Sequence, residues 1–212
     1  IMRRANLIVA EVLQELKRRV APGVTTLELD GVAEELTLKR KAIPAFKGYC
    51  VAGRVYPCCL CASINEEIVH GIPSNRPLRE GDIIGLDYGV IYDGYYGDSA
   101  ITVGVGRVSE QAKRLMSVTE ESLYKGIEQL QDGKRLGDLG SVVQRIAEDA
   151  GFSVVRAFVG HGIGKKRHED PPVPNYGEPE RGLRLKEGMV LAIEPMVNAG
   201  GYEVEIKEDG WT

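Results

Sequence analysis

The chain of 212 residues carries 27 Lys+Arg and 31 Asp+Glu, which gives a net charge of −4, and 43% of its residues are hydrophobic. This length fits a single domain with a sizeable core, and the composition excludes disordered, collagen-like and coiled-coil chains. The mild acidity gives no electrostatic reason to expect specific nucleic acid or an anionic membrane as a partner. No apolar run reaches the roughly 20 residues of a spanning helix and no signal peptide is visible, so we expect a soluble protein.

The first predicted elements are two helices. Apolar residues recur at helical spacing through residues 5–20, and the sequence Ala21-Pro22-Gly23 ends that helix. Thr25 followed by Glu28 has the pattern of a capping box, which starts a second helix that runs to about Leu38. Two more helices are predicted at residues 117–130 and 136–150, with a break between them.

Four cysteines crowd into a short stretch between the first pair of helices and the second, at Cys50, Cys58, Cys59 and Cys61. A disulfide scaffold usually spreads its cysteines through a short secreted chain, which makes that interpretation poor. A zinc site made only of cysteines stays open, although the CxxC pairs of zinc ribbons are absent. The spacing favours reduced thiols on or near a strand of a cytoplasmic protein.

An internal repeat links the two halves of the chain. The sequence Leu-Arg-Glu-Gly from Leu78 returns as Leu-Lys-Glu-Gly from Leu185, 107 positions later, and the apolar positions that follow match at the same offset. Convergence on a common strand–turn pattern is the alternative to duplication. We favour a duplicated helix–helix–hairpin unit, with halves at about 1–104 and 105–212 of one domain and a site where they meet.

The first hairpin places two carboxylates on one face. A type I′ turn at Asp93-Gly94 would pair Gly89 with Asp98 across the two strands. Asp87 then faces the same side as Gly89 and is the diagonal neighbour of Asp98, with Cβ atoms about 7 Å apart. Two acids on a half-buried face are costly unless a cation neutralises them, so the pattern predicts a metal site.

A third acid and a histidine extend this set. Glu194 lies 107 positions after Asp87, again inside an apolar strand-like segment. His161 is flanked by Gly160 and Gly162, which let the backbone turn tightly and a ligand approach closely. Carboxylates with one imidazole suit Mn, Fe, Co or Zn, as paired ions that activate a shared water.

Five motifs, in this order along the chain, resemble those of bacterial-type (type I) methionine aminopeptidases, which belong to metallopeptidase family M24. The motifs are His70-Gly71-Ile72-Pro73, the pair Asp87 and Asp98, Gly160-His161-Gly162-Ile163-Gly164, Ile193-Glu194-Pro195-Met196 and Asp209-Gly210-Trp211-Thr212. The resemblance implies an α+β pita-bread fold, in which two related halves surround a curved antiparallel sheet. It also implies a cytoplasmic enzyme with two divalent metal ions that removes the initiator methionine from nascent proteins and peptides.

The same resemblance implies roles for six residues. Asp87 would bind one metal ion, Asp98 would bridge both ions, and His161 and Glu194 would complete the other. Glu194 would also take the proton from the bridging water that attacks the first peptide bond. The remaining two, His70 and His168, would contact the scissile amide of the substrate and stabilise charge as the bond breaks.

The resemblance also implies a pocket for the methionine side chain, lined by Phe46, Tyr49, Tyr56, Cys61 and Trp211. An unbranched thioether suits such a soft, aromatic wall. The partners it implies are peptides with an N-terminal Met and nascent chains, with a transient ribosome contact, no membrane and no specific nucleic acid. We expect a monomer.

The chain departs from the family pattern at three places. The family has one more bridging Glu beyond the position of Trp211, and the sequence given ends at Thr212. We therefore expect a truncated chain with impaired catalysis, for which Glu205 is the substitute that the repeat would nominate. The loop between Tyr49 and Tyr56 is longer than the family's, and Arg167 stands where the family usually has an apolar pocket residue.

Two other functions remain as alternatives. A proline-cleaving enzyme of the same fold usually carries a separate N-terminal domain, for which this chain has no room. A pita-bread module that binds but does not catalyse is the alternative from another class. A type II methionine aminopeptidase would need a helical insertion between His168 and Glu194, where only 25 residues intervene.

Overall fold

The computed structural model describes every residue, Ile1–Thr212. The chain divides into two compact units. The first consists of Ile1–Ser109, Gly164–Arg167 and Ile206–Thr212, and the second consists of Glu110–Ile163 and His168–Glu205. None of the helices combines the length and the apolar composition that crossing a membrane requires.

Each unit combines two helices with antiparallel strands. The elements of the first unit are α1 (Met2–Arg19), α2 (Thr26–Lys39), β1 (Ile43–Pro44), β2 (Cys50–Val51), β3 (Arg54–Val55), β4 (Leu60–Ile64), β5 (Ile83–Tyr92) and β6 (Tyr95–Gly104). Those of the second are α3 (Glu110–Ile127), α4 (Leu136–Asp149), β7 (Ser153–Val154), β8 (Gly160–Gly162), β9 (Glu169–Val173), β10 (Leu191–Ala192) and β11 (Val197–Asn198).

The two helices of the first unit form as the sequence predicts. Helix α1 buries Ile8, Val12 and Leu16, which recur every four residues and so share one face. Helix α2 begins with the predicted capping box, since the backbone N–H of Glu28 donates to the Thr25 hydroxyl and the Thr25 N–H donates to the Glu28 carboxylate. Both predictions are confirmed to within a few residues.

Strand β5 is the centre of the sheet in the first unit and pairs with β1, β4 and β6, always antiparallel. Four of its even-numbered residues are fully buried in the core beneath the helices: Ile84, Leu86, Tyr88 and Val90. Because side chains alternate along a strand, Asp87 and Gly89 face the opposite side of the sheet. The apolar core on one face thereby positions an acidic residue on the other.

The second unit has its own small core and its own pair of helices. Helix α4 matches its prediction, and Leu139 and Val143 on its inner face are fully buried in a cluster with Val173. Helix α3 begins at Glu110, whereas the sequence analysis placed its start at residue 117, so that boundary is wrong. The intervening residues are mostly strong helix formers, and they extend the helix toward its N-terminus.

The segment that the repeat aligns with the first hairpin has a different local pairing. Strands β10 and β11 are two residues each, and they pair with β8 and β7 rather than with each other. Pro195 lies between them and has no N–H to give to a ladder, and the glycines at 200 and 201 disfavour a continuing strand. A similar pattern of apolar residues thus yields a long hairpin only in the first unit.

Candidate metal centre

The first unit contains the two candidate carboxylate ligands on one face of its hairpin. The turn residues Asp93 and Gly94 both have positive φ, 49° and 76°, as a type I′ turn requires. Gly89 pairs with Asp98, so the predicted register is confirmed and Asp87 is the diagonal neighbour of Asp98. The Asp98 side chain is only 7% exposed.

A buried arginine lies against Asp98. The Nε atom of Arg167 is 3.5 Å from Oδ2 of Asp98, and the arginine side chain is 10% exposed. The guanidinium carbon also lies 3.8 Å from the ring centre of Phe46 and 5.1 Å from that of Tyr49. One cation therefore connects a candidate metal ligand with two residues that the sequence analysis assigned to the methionine pocket.

Four of the five expected pocket residues share one apolar cluster of the first unit: Phe46, Tyr56, Cys61 and Trp211. Phe46 reaches the sheet because Gly89 lacks a side chain, since a Cβ there would lie 2.6 Å from the ring. Cys61 is opposite Asp87 in the register of β4 and β5. Burial above all, and then the charge of Asp87, raise the pKa of the Cys61 thiol well above its usual range, so it stays protonated.

Tyr56 connects the pocket cluster to the loop that carries His70. Its hydroxyl lies 3.0 Å from the carbonyl oxygen of Leu60 and 2.9 Å from that of Gly71, either of which can accept its hydrogen bond. Its ring meets the Trp211 indole edge-on, with centres 5.2 Å apart. The His70 ring lies edge-on to the same indole at 6.3 Å. These contacts hold His70 and Trp211 together within the first unit.

The long loop of residues 49–56 forms a two-stranded ribbon. Cys50 pairs with Val55 and Val51 pairs with Arg54 across the β2–β3 turn. At its base the Tyr56 N–H donates to the Tyr49 carbonyl oxygen at 2.8 Å, so the two expected pocket residues flank the ribbon. Cys50 is exposed, whereas the other three cysteines are buried, and all four are free thiols.

His161 is the middle residue of β8 in the second unit. A Cβ on Gly160 would lie 2.2 Å from the carbonyl oxygen of Ala192, and a Cβ on Gly162 would lie 2.2 Å from that of Asp170. Neither glycine has a positive φ. The expectation of a tight turn at these glycines is therefore wrong, because they serve instead to let the backbones of β9 and the β10 segment approach His161 closely.

His161 and Glu194 face each other in the second unit. Nδ1 of the imidazole lies 2.8 Å from the Gly162 carbonyl oxygen, and Nε2 lies 3.1 Å from Oε1 of Glu194. In the neutral ring, Nδ1–H donates to that carbonyl and the lone pair of Nε2 points toward Glu194. Glu194 Oε1 is buried and accepts no hydrogen bond. Two electron-pair donors directed at one place fit a divalent metal ion.

His168 and Glu205 are two exposed residues of the same unit. The His168 ring lies edge-on to the His161 ring, with centres 4.4 Å apart, and His168 is exposed. Glu205 is also exposed and, like His168, lies outside any strand. The structure thus places the His168 ring beside that of His161, and the role of Glu205 as a substitute ligand stays a prediction.

Asn175 is a residue of this site that the sequence analysis missed. It is fully buried, and its Nδ2 donates to the backbone carbonyl oxygen of Glu194 at 2.7 Å. It follows Pro174 in a proline-rich segment. That composition is the only signal in the sequence that indicated an ordered loop here. Asn175 fixes the backbone that carries Glu194.

Neither unit by itself gathers three or more His, Cys, Asp or Glu side chains into a group able to hold a metal ion. The first unit offers the pair Asp87 and Asp98, and the second offers the pair His161 and Glu194. The assignment of these four residues as ligands of one centre stays a prediction.

Comparison with known proteins shows the family to which the chain belongs. The model of metallopeptidase family M24 matches residues 1–211, and the chain belongs to this family. Its similarity within the family is to methionine aminopeptidases. The enzyme of Clostridium perfringens is 51% identical over 212 residues, which cover 100% of this chain and 84% of the relative. Methionine aminopeptidase 1 of Bacillus subtilis has the same identity and coverage.

A solved structure agrees with the fold class. The crystal structure of the methionine aminopeptidase from Thermotoga maritima superimposes with a TM-score of 0.96 at 44% sequence identity, covering 99% of this chain and 83% of that chain. The expected α+β pita-bread fold and the resemblance to methionine aminopeptidases are therefore confirmed.

Proposed function

We propose that the chain is a metal-dependent aminopeptidase that removes the N-terminal methionine from nascent proteins and peptides. Membership of a metallopeptidase family and 51% identity to enzymes named methionine aminopeptidases support this activity. The observation that carries it is the buried Oε1 of Glu194, which accepts no hydrogen bond and lies 3.1 Å from the imidazole nitrogen of His161. A buried anionic oxygen in this position calls for a cation.

The proposed cofactor is a pair of divalent ions of the class Co, Mn, Fe or Zn. Asp87 would hold one ion, Asp98 would contribute to holding both, and His161 and Glu194 would hold the other. Such ions, when bound, lower the pKa of water and polarise the carbonyl of the first peptide bond. The shared face of Asp87 and Asp98 supports their pairing in this role.

The remaining chemistry belongs to side chains of this chain. Glu194 accepts the proton of the attacking water at its carboxylate. His70 and His168 hydrogen-bond the scissile amide and stabilise the negative charge that develops as the bond breaks. The exposure of His168 beside the ring of His161 supports a contact with substrate rather than with the core.

The substrate pocket of the proposal is formed by Phe46, Tyr49, Tyr56, Cys61 and Trp211. The apolar cluster of four of them and the protonated state of the Cys61 thiol suit a thioether side chain. The substrates are peptides and nascent chains that begin with Met. A single metallopeptidase domain, a monomer in the cytoplasm with a transient ribosome contact, completes the proposal.

The test compares two acidic residues of the second unit. Glu194→Gln removes the proposed ligand and base, and Glu187→Gln is the matched control because Glu187 is exposed and belongs to no candidate site. Metal content after loading with Mn or Co is measured by mass spectrometry, and methionine release is measured from the peptide Met-Ala-Ser. Glu194→Gln should lose bound metal and at least about 10³-fold in kcat, whereas Glu187→Gln should match the wild type.

The same measurements separate the alternatives. Full metal content and full activity in Glu194→Gln would contradict the proposed ligand. A wild-type chain that binds metal but releases no methionine would favour the module that binds without catalysing.

A further inference from the structure

Arg167 is a buried cation inside a set of residues that otherwise suit an apolar pocket. Its side chain is 10% exposed, and its Nε lies 3.5 Å from Oδ2 of Asp98, whose side chain is 7% exposed. The guanidinium lies 3.8 Å above the ring centre of Phe46, which is fully buried. A planar guanidinium can stack on an aromatic face and pair with a carboxylate at the same time, which lysine cannot do equally well.

The backbone fixes Arg167 in this place. The segment Gly164–Arg167 belongs to the first unit, and the N–H of Tyr96 donates to the carbonyl oxygen of Gly164 at 2.9 Å. Tyr96 lies two residues before Asp98 on β6. The strand that carries the carboxylate therefore also anchors the segment that carries the guanidinium.

The charges of this pair have opposite consequences for the metal-free and the metal-bound protein. Without metal, a buried carboxylate is costly, and a guanidinium within ion-pair distance offsets that cost. With metal, the same positive charge repels a divalent ion at Asp98, and the repulsion is strong where water is excluded. Arg167 thus stabilises one state and disfavours the other.

We propose that Arg167 is an internal counter-ion that competes with the divalent metal ion for Asp98, so that it stabilises the metal-free protein and weakens metal binding. This inference rests on the proposed function, which makes Asp98 a metal ligand. It assigns to Arg167 a role in tuning metal affinity, in addition to its place beside the pocket aromatics.

Three variants separate the charge of Arg167 from its packing. Arg167→Met removes the charge but keeps an unbranched side chain that can cover Phe46. Arg167→Lys keeps the charge. Lys165→Met is the matched control, because it removes one positive charge from the same segment at an exposed residue that lies over the Tyr95 ring.

The affinity for Mn is measured by isothermal titration calorimetry, and the melting temperature is measured in EDTA. Arg167→Met should bind Mn about tenfold more tightly than the wild type and melt at a lower temperature in EDTA. Arg167→Lys should stay within about threefold of the wild-type affinity, and Lys165→Met should match the wild type in both measurements.

Each contrary result has a distinct meaning. If the wild type binds Mn and Arg167→Met binds it no more tightly, or if Arg167→Lys binds as tightly as Arg167→Met, the counter-ion role is overturned while the proposed function stands. If neither the wild type nor Arg167→Met binds Mn, the proposed metal site is overturned, and this inference with it.

A measurement on the wild type keeps the proposal testable should Arg167→Met fail to fold. The NMR signal of the Arg167 Nε–Hε group should shift when the chain is saturated with Zn, because its carboxylate partner becomes a ligand. An unchanged signal at full occupancy would overturn the competition.

Discussion

The two units hold their candidate metal-binding side chains by different means. In the first unit, Asp87 and Asp98 lie on strands of ten residues each that pair along their whole length. In the second unit, His161 lies on a three-residue strand, and Glu194 lies outside any strand. Its backbone is held by the side chain of Asn175. In the first unit many backbone hydrogen bonds between paired strands hold the two carboxylates in place. The position of Glu194 in the second unit is therefore more sensitive to a single substitution.

Glycines near the candidate ligands are closely packed in both units. Gly89 in the first unit makes room for the far end of a side chain, the Phe46 ring. Gly160 and Gly162 in the second unit make room for backbone carbonyl groups of neighbouring segments. Gly97, directly before Asp98 in the first unit, also faces backbone, since a Cβ there would lie 2.8 Å from the carbonyl carbon of Ala5, so both units contain glycines that tolerate little.

The largest expected effect comes from His168 in the second unit. Because we propose that His168 serves the substrate and not the metal, His168→Ala should lower kcat by about 10²–10⁴-fold while metal content stays unchanged. Methionine release and metal analysis on the same sample check both parts. Loss of metal in this variant would show that the edge-on contact with His161 supports a ligand role instead.

The next effect concerns the close approach of strands around His161. Gly160→Ala places a Cβ 2.2 Å from the Ala192 carbonyl oxygen and should lower the free energy of unfolding by about 3 kcal/mol. Gly31→Ala is the control, since Gly31 lies inside α2 with nothing within 4 Å of a new Cβ. That control should gain about 0.5–1 kcal/mol from helix propensity.

Urea unfolding of both variants measures the difference. A Gly160→Ala protein as stable as the wild type would mean that the strands can separate without cost. The second unit would then be no more sensitive than the first.

The features predicted best from the sequence are those that depend on residues close together in the chain. The capping box at Thr25 and the register of the hairpin around Asp93-Gly94 follow from turn and cap chemistry, and both are confirmed. The alternation of buried residues along β5 places Asp87 on the correct face for the same reason. Where neighbours in sequence determine the geometry, a pattern of residues is sufficient.

Contacts between segments far apart in the chain were predicted less well from the sequence. The ion pair of Arg167 with Asp98 joins residues on separate parts of the chain, and the support that Asn175 gives to Glu194 depends on how a proline-rich loop folds back. The short pairing of β10 and β11 depends on partners in β8 and β7, which the repeat alone did not identify. Contacts of this kind leave no periodic signal.

The variant Asn175→Ala tests whether the side chain of Asn175 holds the backbone of Glu194 in place. Asn175→Ala removes the hydrogen bond to the Glu194 carbonyl from a fully buried site and should cost about 1–3 kcal/mol of unfolding free energy. It should also weaken metal binding, because the ligand backbone is released. Asn198→Ala is the matched control, since its Nδ2 also donates to a backbone carbonyl, that of Gly201.

The control should lose stability without a change in metal affinity. Equal metal affinity in Asn175→Ala and the wild type would show that Glu194 is positioned by other contacts.

The smallest expected effect is on the pH dependence of stability, and it concerns the carboxylates at the first turn of α4 and of α2. Asp138 at the start of α4 is buried, and N–H groups of Glu180 and Arg135 donate to it, which holds the pKa of its carboxyl below its ordinary value. Glu28 at the start of α2 also has a lowered pKa, through the N–H and hydroxyl of Thr25, but it is exposed. The folded state binds these protons less readily than the unfolded state, so each carboxylate stabilises the protein above its unfolded pKa and loses that effect in acid.

Asp138→Asn should therefore be less stable than the wild type by about 1 kcal/mol near neutral pH, and the difference should shrink as the pH falls through the region below the unfolded pKa of about 3.9. Glu28→Gln should show the same direction with a smaller amplitude, because solvent screens an exposed carboxylate. Urea unfolding at a series of pH values measures both. A difference for Asp138→Asn that persists unchanged in acid would mean that the side chain stabilises α4 through packing or neutral hydrogen bonds, and that the two helix starts differ in burial but not in their use of charge.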